Sequence, residues 1–143
     1  MPSPARPRRS SPSPPGKGPR GRAATGRRGE DLAAAHLRRL GFAILDRNVH
    51  GRGGEIDLIA CDGRVLAFVE VKTTLSARAR RAAPPLERLG PGQRARLRRL
   101  ALSWLLQRNG SRPRAPGLRF DAIGVVLDRD GRLLALDHVE AAW

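Results

Sequence analysis

The sequence predicts an α/β fold: a mixed central β-sheet flanked by helices, in the order α-β-β-β-α-β-β. Three observations carry this. An apolar pattern of helical period ends at a glycine near residue 41. An Asp-Gly pair then separates two β-rich runs, and a second helical stripe is followed by two more strand-like runs. Helices and strands interleaved in this way bury their apolar faces against one shared sheet.

Residues 1–24 precede that pattern and consist of Pro, Ser, Gly and Arg with almost nothing to bury. Such a segment cannot offset its ordering entropy and is expected to be a disordered basic tail. Residues 25–143 form the expected domain. Ala33, Leu37 and Leu40 recur at helical spacing, and Gly41 stands where a C′ glycine belongs, predicting a helix over about 27–40. Phe42 to Val49 alternates as a strand, and His50 to Gly54 reads as a turn. Glu55–Ala60 and Val65–Lys72 are expected strands of a hairpin whose central residues are Asp62 and Gly63. Residues 73–90, with Pro84 and Pro85, read as a mobile loop. A second helix is expected from Gly92 to Asn109, stopped by Gly110. Its apolar stripe is Leu97, Leu100, Ala101, Trp104 and Leu105. Leu118–Leu127 and Leu133–Val139 complete the sheet around a turn at Asp128–Arg132.

Composition narrows the function. A chain of 143 residues can bury a core without disulfides, and the lone Cys61 rules out an intrachain bridge or a cysteine-based zinc site. No apolar run approaches the ~20 residues that span a bilayer, and no apolar segment follows the basic N-terminus. A cytoplasmic location with no membrane partner is expected. The formal net charge of +15 favours a polyanionic partner, nucleic acid first and an anionic membrane surface second. Biased codon usage explains Arg in place of Lys, but explains the excess of positive charge less well. A homodimer is the expected assembly if there is one.

With Asp62-Gly63 as the turn, Asp57 faces Phe68 and Glu55 faces Glu70. Glu55, Asp57 and Ile59 then share a face with Leu66, Phe68, Glu70 and Lys72. The other face, Ile56, Leu58 and Ala60 with Ala67, Val69 and Val71, is wholly apolar and reads as core. Carboxylates gathered on one hairpin face repel one another unless a cation sits between them. A hard divalent cation, Mg²⁺ or Mn²⁺, takes such oxygen ligands together with substrate phosphate, which suits phosphodiester hydrolysis. Glu30 lies on the first helix's apolar stripe. It either joins this cluster or is a solvated glutamate favoured by the helix N-terminus. Lys72 is, apart from Lys17 in the tail, the only lysine in a chain that otherwise uses Arg. A compact ammonium that can shift its pKa is not interchangeable with guanidinium.

The blocks Gly29-Glu30-Asp31-Leu32-Ala33-Ala34, Gly54-Glu55-Ile56-Asp57-Leu58-Ile59-Ala60 and Phe68-Val69-Glu70-Val71-Lys72-Thr73 resemble the YraN family of bacterial proteins. That family in turn resembles the PD-(D/E)xK nucleases and the archaeal Holliday-junction resolvases. The likeness runs from about Thr25 to Trp143. It implies a restriction-endonuclease-like fold in which Asp57 and Glu70 ligate metal. In that fold Lys72 assists the attacking water or the phosphate, and Glu30 supports the site. Thr74 stands where the family often has Arg, and Gln93 stands near a common lysine, though Arg94 can substitute.

Among the other candidates, Arg94, Arg98 and Arg99 on the second helix are the expected nucleic-acid contacts, against the commoner solvated face. His36 reads as packed or surface, His50 as able to reach the site, and His138 as having no visible partner. The leading function is a metal-dependent nuclease acting on structured or branched DNA. The alternatives are a nucleic-acid-binding protein of nuclease-like fold without catalysis, and an interaction partner in a larger nucleic-acid-processing assembly. An intact Asp57, Glu70 and Lys72 favours the first.

Overall fold

The computed structural model describes residues 19–76, 89–108, 111 and 113–143. The elements follow the predicted order: α1 (Pro19–Arg39), β1 (Ala43–Gly51), β2 (Gly54–Cys61), β3 (Val65–Leu75), α2 (Pro91–Gln107), β4 (Gly117–Leu127) and β5 (Leu133–Val139). The sheet order is β1-β2-β3-β4-β5. All neighbours are antiparallel except β3 and β4, which run parallel because α2 lies between them in sequence.

Each face of the sheet carries one helix and one core. On one face Ala33, Ala34 and Leu37 of α1 pack on Leu58, Ala60, Ala67, Val69, Ile123 and Val125. On the other, Leu97, Leu100, Ala101 and Trp104 of α2 cover Ile56, Ile59, Leu66 and Phe68. The indole Nε1 of Trp104 donates to Asp46 Oδ2 at 3.0 Å, tying α2 to β1 next to the register shift between Ile44 and Asp46. No helix among the described residues is long and apolar enough to cross a membrane.

Several expectations need correction. Helix α1 begins at Pro19, so the last residues of the expected disordered tail are helical. Proline suits a first helical turn, where its missing N–H has no partner to lose. Leu40 is half exposed rather than core, because α1 ends at Arg39 and Gly41 at φ 94° reverses the chain; Phe42 is buried in its stead. Strand β3 runs on to Leu75, since its far end pairs with β4 as far as Leu127. Residues 77–88 of the expected loop, and the Gly110 stop, lie outside the described residues.

The hairpin register also differs. Leu58 pairs with Val69 and Ile59 with Phe68, so the turn is Gly63-Arg64 rather than Asp62-Gly63. Asp62 Oδ1 accepts the N–H groups of Arg64 and Val65, both at 2.8 Å. Gly63, at φ 90°, supplies the positive φ of the first turn residue. A slip of two residues keeps face membership, where a slip of one would invert it. The apolar-versus-acidic division of the faces is nevertheless too simple. Ile59, Leu66 and Phe68 are core under α2, and Ile56 joins them instead of Leu58.

Candidate functional site

The site begins where β2 and β3 part. Their last paired residues are Leu58 and Val69, and beyond them the strands splay. The N–H of Val71 donates to Asp57 Oδ2 at 2.7 Å, so the carboxylate fills the fork and satisfies the backbone there. On the other flank the β1–β2 ladder passes from Arg47↔Leu58 to Val49↔Ile56 and skips Asn48 and Asp57. Asn48 sits at φ 51°, a conformation that asparagine tolerates better than most side chains. This break in alternation sends Ile56 to the α2 core and Leu58 to the α1 core.

Helix α1 supplies the next carboxylate. A Cβ on Gly29 would lie 1.9 Å from Thr73 Oγ1, so only glycine lets α1 approach β3 this closely. The next residue, Glu30, then reaches the fork. Glu30, Glu55 and Asp57 each offer a carboxylate oxygen, all within 4.8 Å of one another. With its amide nitrogen turned toward them, Asn48 donates to Glu30 Oε2 at 3.2 Å and Glu55 Oε1 at 2.6 Å. His50 Nδ1 lies 3.4 Å from Glu55 Oε2. Glu70 is buried beside Asp57, and its Oε1 accepts from Lys72 Nζ at 2.9 Å.

Of the residues expected at the site, Glu30, Glu55, Asp57, Glu70 and Lys72 thus meet in one region. Asp57 lies between the glutamate pair on one side and the Glu70–Lys72 pair on the other. Direct opposition across the hairpin does not bring them together. The fork and the α1 contact do.

The electrostatics record the crowding. Burial, reinforced by Glu70 and Glu30 and opposed by the Val71 N–H, raises the Asp57 pKa to about 8. Burial also raises Glu30, against the Asn48 amide and with help from Glu55. These carboxylates resist ionising together. A divalent cation would relieve that resistance, and an all-oxygen donor set of this kind suits Mg²⁺ or Mn²⁺. Asp57, with Glu70 or with Glu30 and Glu55, would hold it.

The arginines divide. Arg94 Nε donates to Leu89 O at 3.1 Å and so serves the structure of the α2 entrance. Arg98 is exposed, whereas Arg99 lines a groove with Arg52 and Arg96.

Two features escaped the sequence reading. Asn48 carries no motif, and its only signal is a residue type that accepts positive φ. His138, expected to lack a partner, is one member of a network built on the buried Asp121. Its Nε2 lies 2.8 Å from Asp121 Oδ2, and its Nδ1 lies 3.1 Å from His36 Nε2. Arg119 donates to both Asp121 oxygens at 2.8 and 2.9 Å, and the Ala141 N–H donates at 3.1 Å. Burial alone would raise Asp121, but these donors outweigh it and hold its pKa below the ordinary value. The available signal was a charged residue inside the apolar run 120–127, since a buried charge requires partners.

Residues 29–125 match the model of the uncharacterised protein family UPF0102. The chain is 46% identical over 110 residues to a UPF0102 protein of Streptomyces griseus, covering 77% of this chain and 88% of that protein. It is 50% identical over 108 residues to UPF0102 protein STH1475 of Symbiobacterium thermophilum, covering 76% and 86%. Against UPF0102 protein GSU0650 of Geobacter sulfurreducens it is 43% identical over 102 residues, covering 71% and 75%.

Proposed function

The chain belongs to the uncharacterised protein family UPF0102, the YraN family read from its three sequence blocks, and from its geometry we propose that it is a divalent-cation-dependent nuclease. The observation that carries this reading is a strand fork holding three carboxylates within 4.8 Å of one another, beside a buried Glu70 paired with Lys72. The resemblance to PD-(D/E)xK nucleases and junction resolvases supports the same chemistry, with structured or branched DNA as substrate. A cytoplasmic location goes with that substrate.

When bound, Mg²⁺ or Mn²⁺ polarises the scissile phosphate and makes water a better nucleophile. The protein's own groups do the rest. Val71 N–H fixes one oxygen of Asp57, and the carboxyl also meets Glu70. Asp57 gives up its proton when the site is filled, so occupancy rises with pH. Glu70 holds the Lys72 ammonium at 2.9 Å on the partly exposed side of the fork. There the ammonium can orient the attacking water or neutralise charge growing on the phosphate.

Cleavage of labelled linear, flapped and four-way DNA with Mg²⁺ or Mn²⁺, beside Asp57→Ala, tests the activity. Cleavage by the wild type alone is expected. Substrates bound yet left intact by the wild type would overturn it. Calorimetry with Mn²⁺ tests the site itself: Asp57→Asn should abolish binding, and comparing Glu70→Gln with Glu30→Gln/Glu55→Gln identifies the second donor.

A further inference from the structure

Two grooves lie near the carboxylates, and their charge differs. One, of about 870 Å³, reaches Glu30 and carries Asp128 and Asp130 beside Arg28 and Arg129. The other, of about 700 Å³, runs between the β1–β2 hairpin tip and α2. Its walls carry Arg52, Arg96 and Arg99, the neutral donors Ser103 and Gln107, and, among the described residues, no acidic one. His50 also lines it, and His50 pairs with Glu55 in the β1–β2 register and lies 3.4 Å from its carboxylate.

The groove is built by close packing of the hairpin on α2. A Cβ on Gly51 would lie 1.9 Å from Leu100 Cδ2, and one on Gly53 would lie 2.9 Å from Arg96 Cδ. Gly53, at φ 79°, turns its carbonyl toward Arg96, whose Nη1 donates to it at 3.4 Å. The three arginines are exposed, and Arg52 and Arg99 have no carboxylate partner among the described residues. An open groove with three guanidiniums, no acid among its described lining residues, and a wall residue beside Glu55 suits a chain of phosphates rather than a compact ligand.

We propose that this groove is the phosphate track of the protein. In it Arg52, Arg96 and Arg99 bind the backbone of a nucleic-acid strand and lead it past His50 to the carboxylate fork. That this strand is the one cleaved rests on the nuclease reading; that the groove binds phosphates does not.

The test is the salt dependence of oligonucleotide binding by the full chain in chelator, with duplex and single-stranded probes of DNA and RNA. Each lost phosphate contact lowers the log–log slope by about 0.9 on duplex DNA and about 0.7 on single strands. Arg52→Gln/Arg96→Gln/Arg99→Gln is therefore expected to lose about 2–3 in slope, with Mn²⁺ binding unchanged. Arg38→Gln/Arg39→Gln, in the last turn of α1, serves as control and should lose less. Should the triple variant unfold, the single variants Arg52→Gln and Arg99→Gln should each lose about 1 in slope. A wild-type slope in folded variants, or an equal loss in the control, overturns the proposal. Absence of Mn²⁺ binding and cleavage in the wild type would instead remove the nuclease reading and leave the slope comparison to decide the groove.

Discussion

Replacing Asp57 by Asn should stabilise the protein in chelator at alkaline pH while removing the proposed cation site. The sign follows from proton linkage. Asp57 titrates at about 8 in the folded protein against an ordinary 3.8, so between these values the folded state holds the extra proton. Stability contributed by this group is complete below the ordinary pKa. It falls as pH rises through the window and is fully lost above about 8. At ~1.4 kcal/mol per pH unit the ceiling is about 6 kcal/mol. Asp57 is only partly enclosed, so a gain of about 1–3 kcal/mol for Asn at about pH 9 is expected. Asn keeps an oxygen for the Val71 N–H and can donate toward Glu70, which limits structural damage. At about pH 3, below both values, the aspartate is neutral in the folded and unfolded chain alike, and the two proteins should agree within ~0.5 kcal/mol. Urea unfolding followed by tryptophan fluorescence, with chelator, at both pH values measures this. An equal effect at both, or destabilisation at the higher pH, would refute the electrostatic account of the fork.

Three further outcomes follow from single contacts. Lys72→Arg should keep nucleic-acid affinity within about threefold but lower single-turnover cleavage by about tenfold or more, because guanidinium cannot match a compact ammonium beside Glu70; wild-type cleavage would make Lys72 a surface charge. Asp121→Ala should cost about 2–3 kcal/mol in urea unfolding, since it leaves half-buried Arg119 with only Glu140 and His138 with only His36; a loss under ~1 kcal/mol would mean that water replaces the carboxylate. Gly29→Ala should destabilise the protein by about 1–3 kcal/mol despite alanine's better helix propensity, and Thr73→Ala in the same chain should restore most of the loss. No rescue would place the strain elsewhere.

The element order was legible because period and punctuation agree locally. Leu97, Leu100, Ala101 and Trp104 repeat at helical spacing and are all buried, and the last strand runs over Leu133–Val139 as expected. What depends on long-range packing was not legible. The hairpin slipped by two residues because Asp62 bonds its own turn, a local competition that Asp-Gly alone does not reveal. The candidate site was partly legible. Face parity brought Asp57, Glu70 and Lys72 together on paper, and Glu30's place on the apolar stripe pointed inward. The reason they meet is tertiary: a fork that opens after Leu58↔Val69 and a glycine contact between α1 and β3. Asn48 and the Asp121 network lay beyond reach because their partners come from distant segments.

Two aspartates of the sheet, Asp121 buried and Asp57 half-buried, give the sharpest physical contrast. Asp121 is fully enclosed, yet its pKa lies below the ordinary value, because Arg119, His138 and the Ala141 N–H converge on it. Asp57 receives the Val71 N–H but is otherwise flanked by carboxylates, and its pKa rises to about 8. The same fold therefore supplies a buried carboxylate with positive partners at one position and withholds them at another. Every unusual local feature of β1 and β2 near the fork works in the second direction: the left-handed Asn48, the skipped pair and the broken alternation turn Asp57 toward Glu30 and Glu55 rather than away from them. Local rules broken together at one place, with a destabilising outcome, mark a functional site more often than a structural one. Below about pH 8 a proton balances Asp57; under the proposed function, a divalent cation takes that place when the site is filled.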